Sequence, residues 1–168
     1  QVIWGDEQIL SSSPAFQASE IPIEDGWRTL CHRTIELLEA SYQLDPWSPF
    51  PSDDVQYRTV KLYLDMGTSL LLFLGAYRPT YQARSEQLTD LAHSKASERL
   101  PFEIARFADR VRYWTNWKLN PKGSRPDVTW SDWSEAIEYA HRLWQWELSR
   151  LTETAVTGDR ELWRAWLD

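Results

Sequence analysis

The stretch Val55-Gln56-Tyr57-Arg58-Thr59-Val60-Lys61-Leu62-Tyr63-Leu64-Asp65-Met66-Gly67-Thr68-Ser69-Leu70-Leu71-Leu72-Phe73-Leu74-Gly75-Ala76 decides the fold. Its first half still alternates polar and apolar faces, but Leu70 to Leu74 is apolar on nearly every side. A helix with that pattern is surrounded by other helices rather than laid on a surface. The run Leu70 to Ala76 is also far short of the ~20 residues that cross a bilayer. The segment therefore reads as the central helix of a bundle, opened by Ser52 or Asp53 as cap and ended by Gly75.

The flanking sequence supplies helices to surround it. Pro22, with Glu24 and Asp25 behind it, suits a first helical turn, and Trp27, Leu30, Cys31, Ile35 and Leu38 then recur at three and four residues. This predicts an amphipathic helix over about 22–42. Asp45-Pro46-Trp47-Ser48-Pro49-Phe50-Pro51 is a connector, expected to be pinned by Trp47 and Phe50. After the central helix, Thr80 caps a third from about Tyr81 to His93, and Pro101 opens a fourth carrying Phe102, Ile104, Phe107, Val111 and Trp114. Thr129 or Ser131 caps a fifth, whose period is held by Trp133, Ile137, Ala140, Leu143 or Trp144, and Leu148. A last short helix is expected from Gly158-Asp159, with Leu162, Trp163 and Trp166 on its apolar face.

The expected architecture is an all-α bundle of five or six helices over residues 21–168, preceded by an extended segment and loop over 1–20. Gln1-Val2-Ile3-Trp4 running into Gly5-Asp6 reads as the end of a strand. A lone strand leaves its backbone groups unpaired, so it is expected to follow an upstream sheet or to pair with a partner chain.

Composition bounds the function classes. The 168 residues contain 11 Trp, 7 Tyr and 5 Phe, with 42% hydrophobic and 26% charged residues, which is enough for a packed core. The rings either fill the core and helix seams or form a stacking surface for a base or sugar. A net charge of −7 disfavours broad nucleic-acid binding. The single Cys31 cannot form an internal disulfide, no Cys/His set has zinc spacing, and neither a signal peptide nor a membrane span is visible. A cytoplasmic protein without a metal in this chain is the expectation, and a homo-oligomer is compatible with it.

No phosphate-binding glycine loop, nucleophile elbow or His-Glu-x-x-His helix is present, so no catalytic residue is assigned. His32, His93 and His141 fall on three different helices. Three clusters carry the candidate binding chemistry. In the central helix Arg58, Lys61, Asp65 and Thr68 or Ser69 share a face, and Asp65 needs a partner, either Lys61 or an Arg of a neighbouring helix. This stripe either fixes helix register or floors a ligand site in which Lys61 with Arg78 or Arg84 holds an anion. In Tyr77-Arg78-Pro79-Thr80-Tyr81 with Arg84, two rings and two guanidinium groups either clamp phosphate or cap the central helix. Trp114, Trp117 and Lys118 read most simply as a helix end anchoring a loop. The candidate substrate-binding set is Lys61, Asp65, Arg78, Tyr81 and Arg84.

Val2-Ile3-Trp4-Gly5-Asp6, Ile21-Pro22-Ile23-Glu24-Asp25, His32-Arg33, Lys61 to Leu70 and Gly75-Ala76-Tyr77-Arg78-Pro79-Thr80-Tyr81 together resemble the helical C-terminal part of bacterial and archaeal nucleotidyltransferase-like proteins. The resemblance covers about residues 1–120 and is clearest over 58–84. It implies a helical acceptor-binding or interaction domain, not catalytic alone, that follows a mixed-sheet nucleotidyltransferase domain. That domain would supply a Gly-Ser motif and paired aspartates, with a nucleotide and Mg as cofactors. Here Gly5-Asp6 lacks the serine, and Asp53-Asp54 is expected in a loop. The related HEPN ribonucleases place His four to six residues after Arg, whereas Arg28 and His32 are separated by three and Arg84 and His93 by eight. From another class, a non-catalytic interaction bundle would dock a partner through the Trp-rich helices of residues 114–166.

Overall fold

The computed structural model describes residues 17–42, 44, 45, 47–94, 100–120, 126–156, 158, 160, 161 and 164. Five α-helices fill this span: α1 (Ile23–Ser41), α2 (Asp53–Phe73), α3 (Tyr81–Ala92), α4 (Ile104–Leu119) and α5 (Trp130–Leu151). There is no strand among the described residues, and a short 3-10 turn, Ala18–Glu20, leads into α1. The extended segment expected at Gln1–Trp4 and most of the short helix expected after Gly158 lie outside the described residues. No described helix is long and apolar enough to cross a membrane.

Local chemistry sets the helix ends. Ser52 accepts from the Val55 amide, Thr80 from the Ala83 amide, and Thr129 forms a reciprocal capping box with Asp132. Gly75 ends α2 at φ 64°, a left-handed conformation that costs a Cβ-bearing residue roughly 1 kcal/mol or more. Asp53 and Asp54 are not in a loop, as the sequence suggested, but form the first turn of α2, where their charge complements the helix dipole.

Helix α2 is the axis of the bundle and touches each of the other four. Leu62, Tyr63, Met66, Leu70 and Leu71 are fully buried along it. Against them pack Leu30 of α1, Leu88 of α3, Phe107, Val111 and Trp114 of α4, and Leu143 of α5. Phe102, Phe107, Tyr63 and Tyr139 form a cluster of tilted and edge-on rings with centroids 4.8–6.5 Å apart.

Two helix faces differ from the expected ones. In α1 the buried stripe is Gly26, Leu30, Leu37 and Ala40, while Ile35 and Leu38 are more than half exposed. In α5 it is Ala136, Ala140, Leu143 and Glu147, and Ile137 faces outward. Each helix presents a somewhat different arc from the expected one, because its apolar residues span a wider arc than α2 and the facing helix together cover. The connector also differs. Trp47 and Phe50 are exposed, and the segment is held instead by Trp130 Nε1 donating to Ser48 O at 2.9 Å and Gln56 Nε2 donating to Pro51 O at 2.8 Å.

Candidate functional site

The arc that α1 presents places Arg33 within its inner stripe, opposite α2. Arg33 Nε donates to Asp65 Oδ2 at 2.6 Å, so the partner of Asp65 is the arginine of a neighbouring helix and not Lys61. Arg33 also pairs with Glu36, which Lys61 Nζ reaches at 3.5 Å. Burial would raise the Glu36 carboxyl, but the hydrogen bond and charge of Arg33, with Lys61, outweigh it and hold the group below its ordinary range. One turn earlier Arg58 ties Asp54 (2.7 Å) to the Glu36 carbonyl (2.6 Å). The polar stripe is thus an ion ladder that bridges α1 and α2.

Beside this ladder opens a pocket of about 140 Å³ lined by Arg33, Tyr57, Val60, Lys61, Leu64, Asp65, Tyr81, Trp117 and Lys118. Three of the five candidate residues, Lys61, Asp65 and Tyr81, meet there. The Trp117–Lys118 helix end, read from sequence as a loop anchor, joins them. Lys61 and Lys118 both lie over the Tyr57 ring, with Nζ 5.5 and 5.6 Å from its centroid.

Arg78 and Arg84 are not part of that pocket. Arg84 is buried, its guanidinium stacked 4.5 Å from the Tyr81 centroid and 5.5 Å from that of Tyr77, and it donates to the carbonyls of Arg78 (3.0 Å) and Pro79 (3.1 Å). It therefore locks the α2–α3 turn, bonding the turn's own carbonyls rather than the last ones of the central helix. Arg78 is exposed. The Arg–His spacings of the ribonuclease reading lead to separate local contacts. Arg28 pairs with Asp25, His32 with Glu36, and the His93 ring contacts the Thr89 carbonyl.

Three features escaped the sequence reading. Arg106 and Arg110 of α4 pair with Glu135, and Arg110 with Asp132 at 2.9 Å, while the Tyr63 hydroxyl donates to Glu135 at 3.0 Å. The same-face spacings of Arg106/Arg110 (four residues) and Asp132/Glu135 (three residues) were the available signal. Glu147 is fully buried in the α5 stripe, four residues after Leu143, and burial pushes its carboxyl up to about 8, only partly offset by Ser69. The third is an apolar groove of about 480 Å³ between α1 and α5. Leu37, Leu62 and Ala140 form its floor, Leu38, Trp133, Ile137 and Trp144 its walls, and Thr34, Ser41 and His141 its rim. Its walls contain Leu38 and Ile137 because the two helices turn these residues outward.

Among the described residues no three His, Cys, Asp or Glu side chains gather as a metal site. In comparison with known proteins, no protein family, curated protein or solved structure matches the chain.

Proposed function

We propose that this bundle is a protein-interaction domain that holds the apolar face of a partner helix in the α1–α5 groove. The observation that carries the reading is the groove itself, an open apolar channel whose walls expose Leu38 at 61% and Ile137 at 38%. Its lining falls on helical spacings, Thr34, Leu37/Leu38 and Ser41 on α1 and Trp133, Ile137, Ala140 and Trp144 on α5. Two parallel ridges of this kind accept the i, i+3, i+4, i+7 anchors of a third helix. An extended segment would gain less, because no strand edge is offered among the described residues. With a chain charge of −7, the favoured partner carries Lys or Arg on its outward face.

The test uses a synthetic Leu/Lys amphipathic helical peptide and a scrambled peptide of the same composition. The first is expected to bind in the micromolar range and the second not to bind. Leu38→Asp and Ile137→Asp are expected to abolish binding without lowering the melting temperature. Equal binding of both peptides would reduce the effect to charge and overturn the reading. Concentration-dependent dimerisation that Leu38→Asp abolishes would replace the partner helix with a second copy of this chain.

The acceptor-binding reading of a nucleotidyltransferase-like protein stands second, supported by Lys61, Asp65 and Tyr81 lining one pocket. Two observations rank it lower. Arg78 and Arg84 do not line the pocket, and 140 Å³ is below the roughly 300–1,000 Å³ of pockets that enclose a drug-sized ligand. Nucleotide transfer to an acceptor by a longer chain carrying this bundle, lost on Lys61→Ala with the fold intact, would reverse the ranking.

A further inference from the structure

The small pocket framed by α1, α2, α3 and α4 is separate from the docking groove and has its own electrostatic character. Its lining contains three cations, Arg33, Lys61 and Lys118, against one carboxylate, Asp65, in a chain whose total charge is −7. Arg33 is committed to Asp65 and Glu36. Lys61 reaches Glu36 only at 3.5 Å. Lys118 has no carboxylate within pairing distance among the described residues. A lysine in the last turn of α4 complements the helix dipole. That role and the attraction of the Tyr57 ring for a cation account for its place on α4, and they leave both ammonium groups on the lining of one pocket.

We propose that this pocket binds a small phosphomonoester, with the phosphoryl group held between Lys61 and Lys118 and an apolar or planar remainder against Tyr81 and Trp117. Two compact ammonium charges match a dianion and, unlike a guanidinium fork, do not demand a planar bidentate partner. The ring attracts each ammonium, but the two like charges repel each other, and an anion bound in the pocket they line offsets that repulsion. The volume of about 140 Å³ admits a phosphoryl group with a small substituent but not a whole nucleotide. The ring and Leu64 surfaces give the substituent an apolar wall.

The test is a two-dimensional amide NMR titration of the full chain at constant ionic strength with phenyl phosphate, inorganic phosphate and benzoate. Phenyl phosphate is expected to shift the amides around Tyr57, Lys61, Tyr81, Trp117 and Lys118. Inorganic phosphate should shift the same set more weakly, and benzoate, with one charge, should bind more weakly than phenyl phosphate. Lys118→Met and Lys61→Met should each weaken phenyl phosphate about tenfold or more, the loss expected for one charged contact. Lys118→Arg should retain most of the binding, and unchanged melting of Lys118→Met separates lost binding from lost fold. Affinity unchanged in both Met variants, or shifts spread over distant cationic surfaces such as Arg112 and Arg142, would overturn the site. Benzoate binding as tightly as phenyl phosphate would overturn the phosphoryl assignment, and inorganic phosphate binding as tightly would remove the role of the ring walls.

Discussion

Ser69 and Glu147 meet across the seam between α2 and α5, the Ser69 hydroxyl donating to Glu147 Oε1 at 2.6 Å. The second carboxyl oxygen, Oε2, is buried without a hydrogen-bond partner among the described residues. An ionised carboxylate with one donor in such a place is costly, and a neutral acid much less so. This accounts for the rise of the Glu147 carboxyl to about 8. The same surroundings act on Cys31, where burial first and the Glu147 carboxyl second push the thiol up to about 11.

The first prediction follows from proton linkage. The folded chain keeps the Glu147 proton up to about pH 8, whereas the unfolded chain releases it near the ordinary carboxyl value of 4.5. The stability contributed by that proton is fully present below 4.5 and is lost as pH rises towards 8. Denaturant unfolding is expected to lose about 3 kcal/mol between pH 5 and pH 8. Glu147→Gln, a neutral isostere that still accepts from Ser69, should flatten the curve over this window. An equally steep curve in the variant would show that other groups carry the pH dependence.

The parts of this structure legible in sequence are those set by short-range chemistry. Ser52, Thr80 and Thr129 cap the helices they precede, Gly75 ends α2, and the all-round apolar run from Leu70 identifies the helix that every other helix touches. What the sequence left open depends on which neighbour covers which arc. Trp133 and Ile137 satisfy helical spacing as well as Ala136 and Ala140 do, yet the small residues face α2 and the larger ones wall the groove. For the same reason Arg33, three residues beyond Leu30 on the inner stripe, was visible only through the Asp65 it meets. Similarly, nothing local to Lys118 indicated that it would share a ring with Lys61, because that depends on α4 crossing α2 near Tyr57.

Gly26 is required by the approach of α1 to α2. A Cβ there would lie 2.9 Å from Ser69 Oγ and 3.3 Å from Ser69 Cα, and the hydroxyl cannot yield freely while it bonds Glu147. Alanine would gain about 1 kcal/mol in helix propensity, but overpacking typically costs about 1–3 kcal/mol. We expect Gly26→Ala to be net destabilising by about 1 kcal/mol. Urea unfolding that finds Gly26→Ala more stable than the parent would mean that the seam has slack.

Arg84 is expected to tolerate no conservative exchange. Its single Nη1 serves two carbonyls while its guanidinium lies over the Tyr81 ring and close to that of Tyr77, and lysine can do only one of these things at a time. Arg84→Lys should cost about 2 kcal/mol and Arg84→Ala more. Thermal melting of both variants checks this. A neutral Arg84→Lys would return the residue to the pool of free cations and revive its role in binding an anion.

Asp65 and Lys118 line the same pocket but should separate cleanly on substitution, because one is part of the ion ladder and the other is not. Asp65→Asn leaves Arg33 half-buried with Glu36 as its sole carboxylate, and losing the 2.6 Å charged hydrogen bond should cost about 1–3 kcal/mol. Lys118→Met removes only a partly exposed ammonium over Tyr57, so stability should stay within about 0.5 kcal/mol of the parent. The measurement is denaturant unfolding of both variants beside the phenyl phosphate titration. The expected pattern is a large stability loss for Asp65→Asn and a binding loss without a stability loss for Lys118→Met. If Lys118→Met is instead the destabilising change, the two lysines are packing elements of the α2–α4 contact, and the pocket between them has no ligand to hold.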